Sequence, residues 1–235
     1  MADTPASRHV KRVLAAREAA RTAGSNLMEG TTIYQQMQVR LASDRARLKQ
    51  IQSTQGKAQL KVALLPSYAP YLAGVLSADA GGKDDIVSTL MLWHFDAGLF
   101  DAGLDIARYV LAHGLDMPDA HKRTAGCVVA EEVGQAALNA LKTSAPFDLA
   151  VIDRAATLTE GQDMPDEVRA RLLLARGRGL LATDTETAPL DADAVAKAIE
   201  DLRIAIQLHD SCGGKEDLKR AERLMKKFEA SQSND

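Results

Sequence analysis

Asp84-Asp85-Ile86-Val87-Ser88-Thr89-Leu90-Met91-Leu92-Trp93-His94-Phe95-Asp96-Ala97-Gly98, continued by Leu99-Phe100-Asp101-Ala102-Gly103-Leu104-Asp105-Ile106-Ala107-Arg108-Tyr109-Val110-Leu111-Ala112-His113-Gly114, decides how this chain folds. Ile86, Leu90, Trp93 and Ala97 recur at helical spacing, as do Leu104, Ala107, Val110 and Leu111. Asp84 or Asp85 is placed to cap the first helix and Asp101 the second. Gly98 and Gly114 stand where helices stop, and Pro118 prevents continuation. Two helices joined by so short a link fold back as an antiparallel pair. The single tryptophan, Trp93, is expected on the buried stripe with Leu90, Leu104 and Val110.

The same apolar spacing extends outward through the chain. With 235 residues, 46% of them hydrophobic and only 4% aromatic, the core is predicted to be aliphatic and the fold all-α. No run of 18 apolar residues occurs, and no apolar stretch precedes a small-residue cleavage site. The protein is therefore expected to be cytoplasmic and free of membranes. Cys127 and Cys212 lack neighbours at metal-ligand spacing and are expected to be reduced thiols.

The net charge of -3 conceals a polarity. Residues 1–63 carry eleven Lys/Arg against four Asp/Glu, and the remainder carries eighteen against twenty-eight. A basic head on an acidic body points to an anionic partner for the head. The head is predicted to hold helices over Pro5–Ala23, with Thr4 as cap, over Thr32–Ile51, and over Gln55–Leu65. On the first helix Val10, Val13 and Leu14 form a thin apolar seam, and Arg8, Lys11, Arg12, Arg17 and Arg21 are displayed. On the second, Ile33, Met37, Leu41, Leu48 and Ile51 make the apolar face, leaving Arg40, Arg45, Arg47 and Lys49 largely outside it. Cationic helix faces of this kind neutralise DNA phosphates without reading sequence, although they also serve simply as solvated faces.

Ala78–Gly82 is the best boundary in the sequence, because small residues break the pattern where the charge turns. It divides a basic helical head, 1–78, from a helical body, 84–230. Beyond the central pair, His121-Lys122-Arg123-Thr124 is a short basic loop, and Lys122 and Arg123 are candidate phosphate contacts. Helices are predicted over Ala125–Leu141, Phe147–Thr159 and Pro165–Ala182. A final helix–Gly–helix unit spans Ala194–Phe228, hinged at Gly213-Gly214. Gly114-Leu-Asp-Met-Pro-Asp119 recurs as Gly161-Gln-Asp-Met-Pro-Asp166. Together these features predict an array of antiparallel helical hairpins, tetratricopeptide-like in kind.

Catalytic signatures are sparse. Gly82-Lys83 and Gly214-Lys215 lack the spacing of a phosphate loop, and neither GxSxG nor HExxH occurs. The acidic pairs Asp84-Asp85, Glu131-Glu132 and Asp166-Glu167 would hold Mg2+ for a nuclease only if folding brought them together. Their places near helix starts equally fit capping and dipole complementation. Apart from that Mg2+, no cofactor is expected. Arg176-Gly177-Arg178-Gly179 has the look of a minor-groove hook but lies inside a helical pattern without proline.

One resemblance runs through these segments. Asp84-Asp85-Ile-Val, Met91-Leu92-Trp93, Asp96-Ala-Gly98, Ala107-Arg108-Tyr109, Met117-Pro118, His121-Lys122-Arg123-Thr124 and Asp163-Met164-Pro165-Asp166-Glu167-Val168-Arg169-Ala170 resemble the small terminase subunit of peduovirus-type temperate tailed phages. The likeness covers about residues 5–210 and takes in Arg8-His9 and Thr32-Ile-Tyr34. It implies phage DNA packaging in the bacterial host cytoplasm. In that role the subunit binds the cohesive-end site on concatemeric double-stranded DNA and recruits a large ATPase and nuclease subunit. It further implies a homo-oligomeric ring. The family label "terminase, endonuclease subunit" keeps open a metal-dependent cut by this chain itself, and a helical adaptor without DNA contact is a third reading. Family members often carry a longer Lys/Arg/Pro-rich tail; this chain ends at Asp235 without one, which places the expected DNA contact on the basic head.

Overall fold

The computed structural model describes residues 4–22, 32–118, 123–182 and 190–232, with the side chains of 19–22, 32, 231 and 232 outside the description. Among the described residues all regular structure is helical. None of the described helices is long and apolar enough to cross a membrane. The chain divides into two compact units, Met1–Ala125 and Gly126–Asp235. That division falls later than the small-residue break at Ala78–Gly82, because the helices on either side of the break pack into one core.

The first unit contains α1 (Pro5–Thr22), α2 (Thr32–Lys49), α3 (Thr54–Leu64), a 3-10 turn at Leu65–Ser67, α4 (Ala69–Ala78), α5 (Asp85–Asp96) and α6 (Phe100–Ala112). Its centre is α5, in which every residue from Ile86 to Phe95 is buried. A helix apolar on all sides must be enclosed by neighbours. Here they are α2, α3, the 3-10 turn and α6. Leu90, Leu104 and Val110 are fully buried as expected, and Trp93 meets Tyr68 edge-on at 6.1 Å. Phe95 lies over Gly103, where a Cβ would stand 2.7 Å from the ring, so only glycine lets α6 come so close.

Several helix starts follow side-chain chemistry, whereas α4 and α6 begin without a side-chain cap. Thr4 Oγ1 accepts from Ser7 N, Ser53 from Gly56 N, and Asp84 Oδ1 from both Ile86 N and Val87 N. Asp101 does not cap α6: the cap is Leu99, without a side-chain hydrogen bond, and Asp101 lies in the first turn. It complements the helix dipole there instead. Gly98 and Gly114 do end their helices, at φ of 74° and 59°.

The second unit contains α7 (Ala125–Lys142), α8 (Leu149–Thr159), α9 (Asp166–Ala182), α10 (Ala192–Leu208) and α11 (Lys215–Gln232). α9 packs against α8 and α10, and α10 packs against α11. Gly134 of α7 approaches the Leu172 backbone, where an added Cβ would stand 3.2 Å away. The Arg176-Gly177-Arg178 run proves to be an internal fastening. Arg176 Nε donates to Asp201 Oδ2 at 2.7 Å, tying α9 to α10. Arg178 donates to Asp217 Oδ2 at 2.8 Å and to the Gly213 carbonyl at 2.9 Å, tying α9 to α11. Between them Gly177 admits Leu202, whose Cγ would lie 2.9 Å from a Cβ. Cys127 is buried and Cys212 half-buried, both as free thiols.

Candidate nucleic-acid interface

The geometry of α1 begins with alanine and glycine. Ala15 is fully buried where α1 crosses α4 at Gly74. A Cβ on Gly74 would stand 2.5 Å from the Arg12 carbonyl oxygen and 2.6 Å from Ala15 Cβ, so the two helices are in backbone contact. Ser7, Lys11, Ala16 and Glu18 are half-buried around that crossing. The seam of Val10, Val13 and Leu14 therefore faces outward, with exposures of 53%, 46% and 41%. Small residues decide the crossing because they permit the closest approach, and the branched residues are left on the rim.

This orientation sorts the cations of α1. Arg8, Arg12 and Arg17 are exposed, and Arg12 lies 3.3 Å from His9 on the same helix. Lys11 is half-buried. Arg21 has no described side chain, and Lys122 lies outside the described residues. Arg123 is exposed at the end of the first unit.

On α2 the predicted apolar face is present: Ile33, Met37, Leu41 and Leu48 are buried, whereas Ile51, beyond the helix end, is half-buried. Two polar side chains reorganise the rest. Asp44 is buried within that face, accepts a 2.8 Å hydrogen bond from the Tyr68 hydroxyl, and draws in Arg47 at 3.0 Å and Arg40 at 3.9 Å. Burial and this carboxylate together push the Tyr68 pKa up. Arg40 also stands 5.5 Å above the Tyr68 ring, and Arg45 donates to Thr89 Oγ1 at 2.8 Å. Arg40 and Arg45 fasten α2 to the core while keeping part of their charge at the surface, Arg47 pairs within α2, and Lys49 is exposed. Nothing in spacing alone distinguishes a fastening arginine from a free one; the signal was Asp44, an acid on an otherwise apolar face.

The acidic candidates occupy different places. Asp84 is 3% exposed; one oxygen caps α5 and the other accepts from the Tyr71 hydroxyl at 2.6 Å. Burial pushes its pKa up to about 6. Asp85 is exposed in the first turn of α5. Glu131 is half-buried 3.9 Å from Arg171, and Glu132 is exposed, both in the second unit. Among the described residues no group of three or more His, Cys, Asp or Glu side chains is gathered for a metal ion.

A family model described as "Phage small terminase subunit" matches residues 38–167. A protein described as "Terminase, endonuclease subunit", from Escherichia phage P2, is 40% identical over 223 residues, which span 95% of this chain and 86% of that protein. No solved structure matches.

Proposed function

Because the chain belongs to the phage small terminase subunit family, we propose that it binds the cohesive-end site on concatemeric phage DNA and delivers that DNA to the large terminase subunit. Its place is in phage DNA packaging, with ATP-driven translocation assigned to the large partner. The observation that carries the DNA reading is α1, a helix held by a small-residue crossing that leaves Arg8, Arg12 and Arg17 exposed. Arg8 and Arg12, one turn apart, can grip phosphates and fix orientation, with Arg17 farther round the helix, while site preference requires base contacts or DNA shape. The helix stack of the second unit acts as an array of tetratricopeptide-like hairpins, suited to holding neighbouring copies in a ring and meeting the large subunit.

The test is a salt titration of duplex binding by the full chain and by the Arg8→Gln, Arg12→Gln, Arg17→Gln triple variant. Each lost phosphate contact should lower the slope of log affinity against log salt by about 0.9. A slope that does not change places the DNA contact elsewhere, and no duplex binding at low salt leaves the adaptor reading.

The description of the phage P2 relative favours a second reading, in which this chain makes the staggered cut with Mg2+. Asp84 fits that role poorly, since both of its oxygens are committed to the α5 cap and Tyr71. Incubating the protein with cohesive-end and scrambled duplexes in Mg2+ separates the readings. Site-preferring binding without strand cleavage supports recognition by this subunit. Cleavage that disappears in a folded Glu131→Gln variant supports the nuclease.

A further inference from the structure

The acidic balance of the second unit conceals one strongly basic surface. α11 carries Lys219, Arg220, Arg223, Lys226 and Lys227, all exposed. At 3.6 residues per turn these five fall within one arc of about 120°. Ala221, buried, with Leu218, Met225 and Phe228, half-buried, occupies the opposite side.

Of the four carboxylates of α11, Glu229 is exposed beyond the basic row towards the C-terminal end, and the other three have partners that leave most of the arc uncompensated. Asp217 is held by Arg178 of α9 at 2.8 Å, and Glu222 by Arg203 of α10 at 2.7 Å. Glu216 pairs with Lys219 at 2.8 Å, at one end of the row. Arg223 donates to the Lys219 carbonyl at 3.2 Å and makes no ion pair at close range among the described side chains, although Glu216 on the same face feels its charge. Arg220, Lys226 and Lys227 have no ion-pair or hydrogen-bond partner among the described side chains.

We propose that this face of α11 is a second DNA-binding surface, which holds the phosphate backbone of a duplex independently of α1 in the first unit. The inference rests on the reading of DNA as the partner of this chain. From Lys219 to Lys227 the helix rises about 12 Å, a span over which one DNA strand presents three or four phosphates. No apolar or aromatic residue interrupts the arc. An interface for an acidic protein would be expected to place aromatic or aliphatic anchors within it, whereas a uniform row of cations suits a polyanion of regular spacing. Such a surface contributes affinity without sequence preference.

The test uses the full chain with Arg220→Gln, Lys226→Gln and Lys227→Gln together, measured by fluorescence anisotropy on a duplex lacking the cohesive-end sequence. The three side chains have no internal partner, so circular dichroism should match the parent. The salt slope should fall by about two to three units, and the loss should add to that of the α1 triple variant. An unchanged slope in the α11 variant, with a reduced slope in the α1 variant, overturns this inference and leaves the α1 reading standing. The converse result keeps the α11 surface and removes α1. If neither variant responds, both assignments fail. Loss of poly-glutamate binding with duplex binding intact also overturns the proposal, in favour of an acidic protein.

Discussion

Replacing Gly74 by valine tests how α1 is held. The new Cβ would stand 2.5 Å from the Arg12 carbonyl oxygen, 2.6 Å from Ala15 Cβ and 2.9 Å from Ala16 N. Two of these three atoms are backbone, so rotamer changes cannot relieve the clash. α1 must withdraw by about 1 Å, enough to forfeit a quarter to a half of each dispersion contact. Overpacking of this kind costs about 1–3 kcal/mol. Against it stands the anchoring of α1, whose one fully buried described side chain, the Ala15 methyl, contributes only about 0.8 kcal/mol. α1 should therefore detach while the core around α5 stays folded. Hydrogen exchange should show lost protection over residues 5–18 and native protection in α5. DNA binding should lose salt dependence to the same extent as in the α1 arginine variant. Native protection of α1 together with an unchanged slope would refute the crossing as described, and loss of the whole first unit would show that α1 is integral to its core.

Two further substitutions probe buried charge. Asp84 is raised from 3.8 to about 6 in the fold, so protonation favours the folded state. Its stabilising contribution is full below about pH 4 and is lost as pH rises through 6, a change of about 3 kcal/mol. Asp84→Asn keeps a capping oxygen without the charge, so urea unfolding should show it gaining on the parent between pH 4.5 and 7.5; a difference constant with pH would sink the assignment. Arg176→Ala leaves Asp201, 2% exposed, as an unpaired charge and should cost about 3–5 kcal/mol in chemical unfolding. Arg176→Met with Asp201→Leu should recover most of it, and a single-variant loss under about 1 kcal/mol would show that water reaches the pair.

The helices were legible because their ends are written in local chemistry. Thr4, Ser53 and Asp84 cap, Gly98 and Gly114 stop, and spacing alone places Trp93, Leu90, Leu104 and Val110 inside. What stayed hidden depends on partners distant in sequence. Gly74 is where α1 touches α4, a contact that local spacing cannot show. Val10, Val13 and Leu14 form a thin apolar seam by spacing yet stay exposed, because periodicity reports a stripe without saying which neighbour is small enough to take it. The burial of Asp44 and Asp201 is set by arginine partners that local spacing does not identify. The α11 arc escaped notice because charge summed over the acidic body averages it away. Plotting that one helix at 3.6 residues per turn would have found it.

The two basic helices share a shallow attachment: among described side chains, α1 fully buries Ala15 alone and α11 Ala221 alone. α5, by contrast, buries ten consecutive residues. Substitutions along the outer arcs of α1 and α11 thus carry little folding penalty, whereas almost any change in α5 disturbs several neighbours. A saturation library should accept wide sequence variety on the two arcs and nearly none between Ile86 and Phe95. The charge of the two outer helices can therefore vary residue by residue, with the scaffold beneath them left intact.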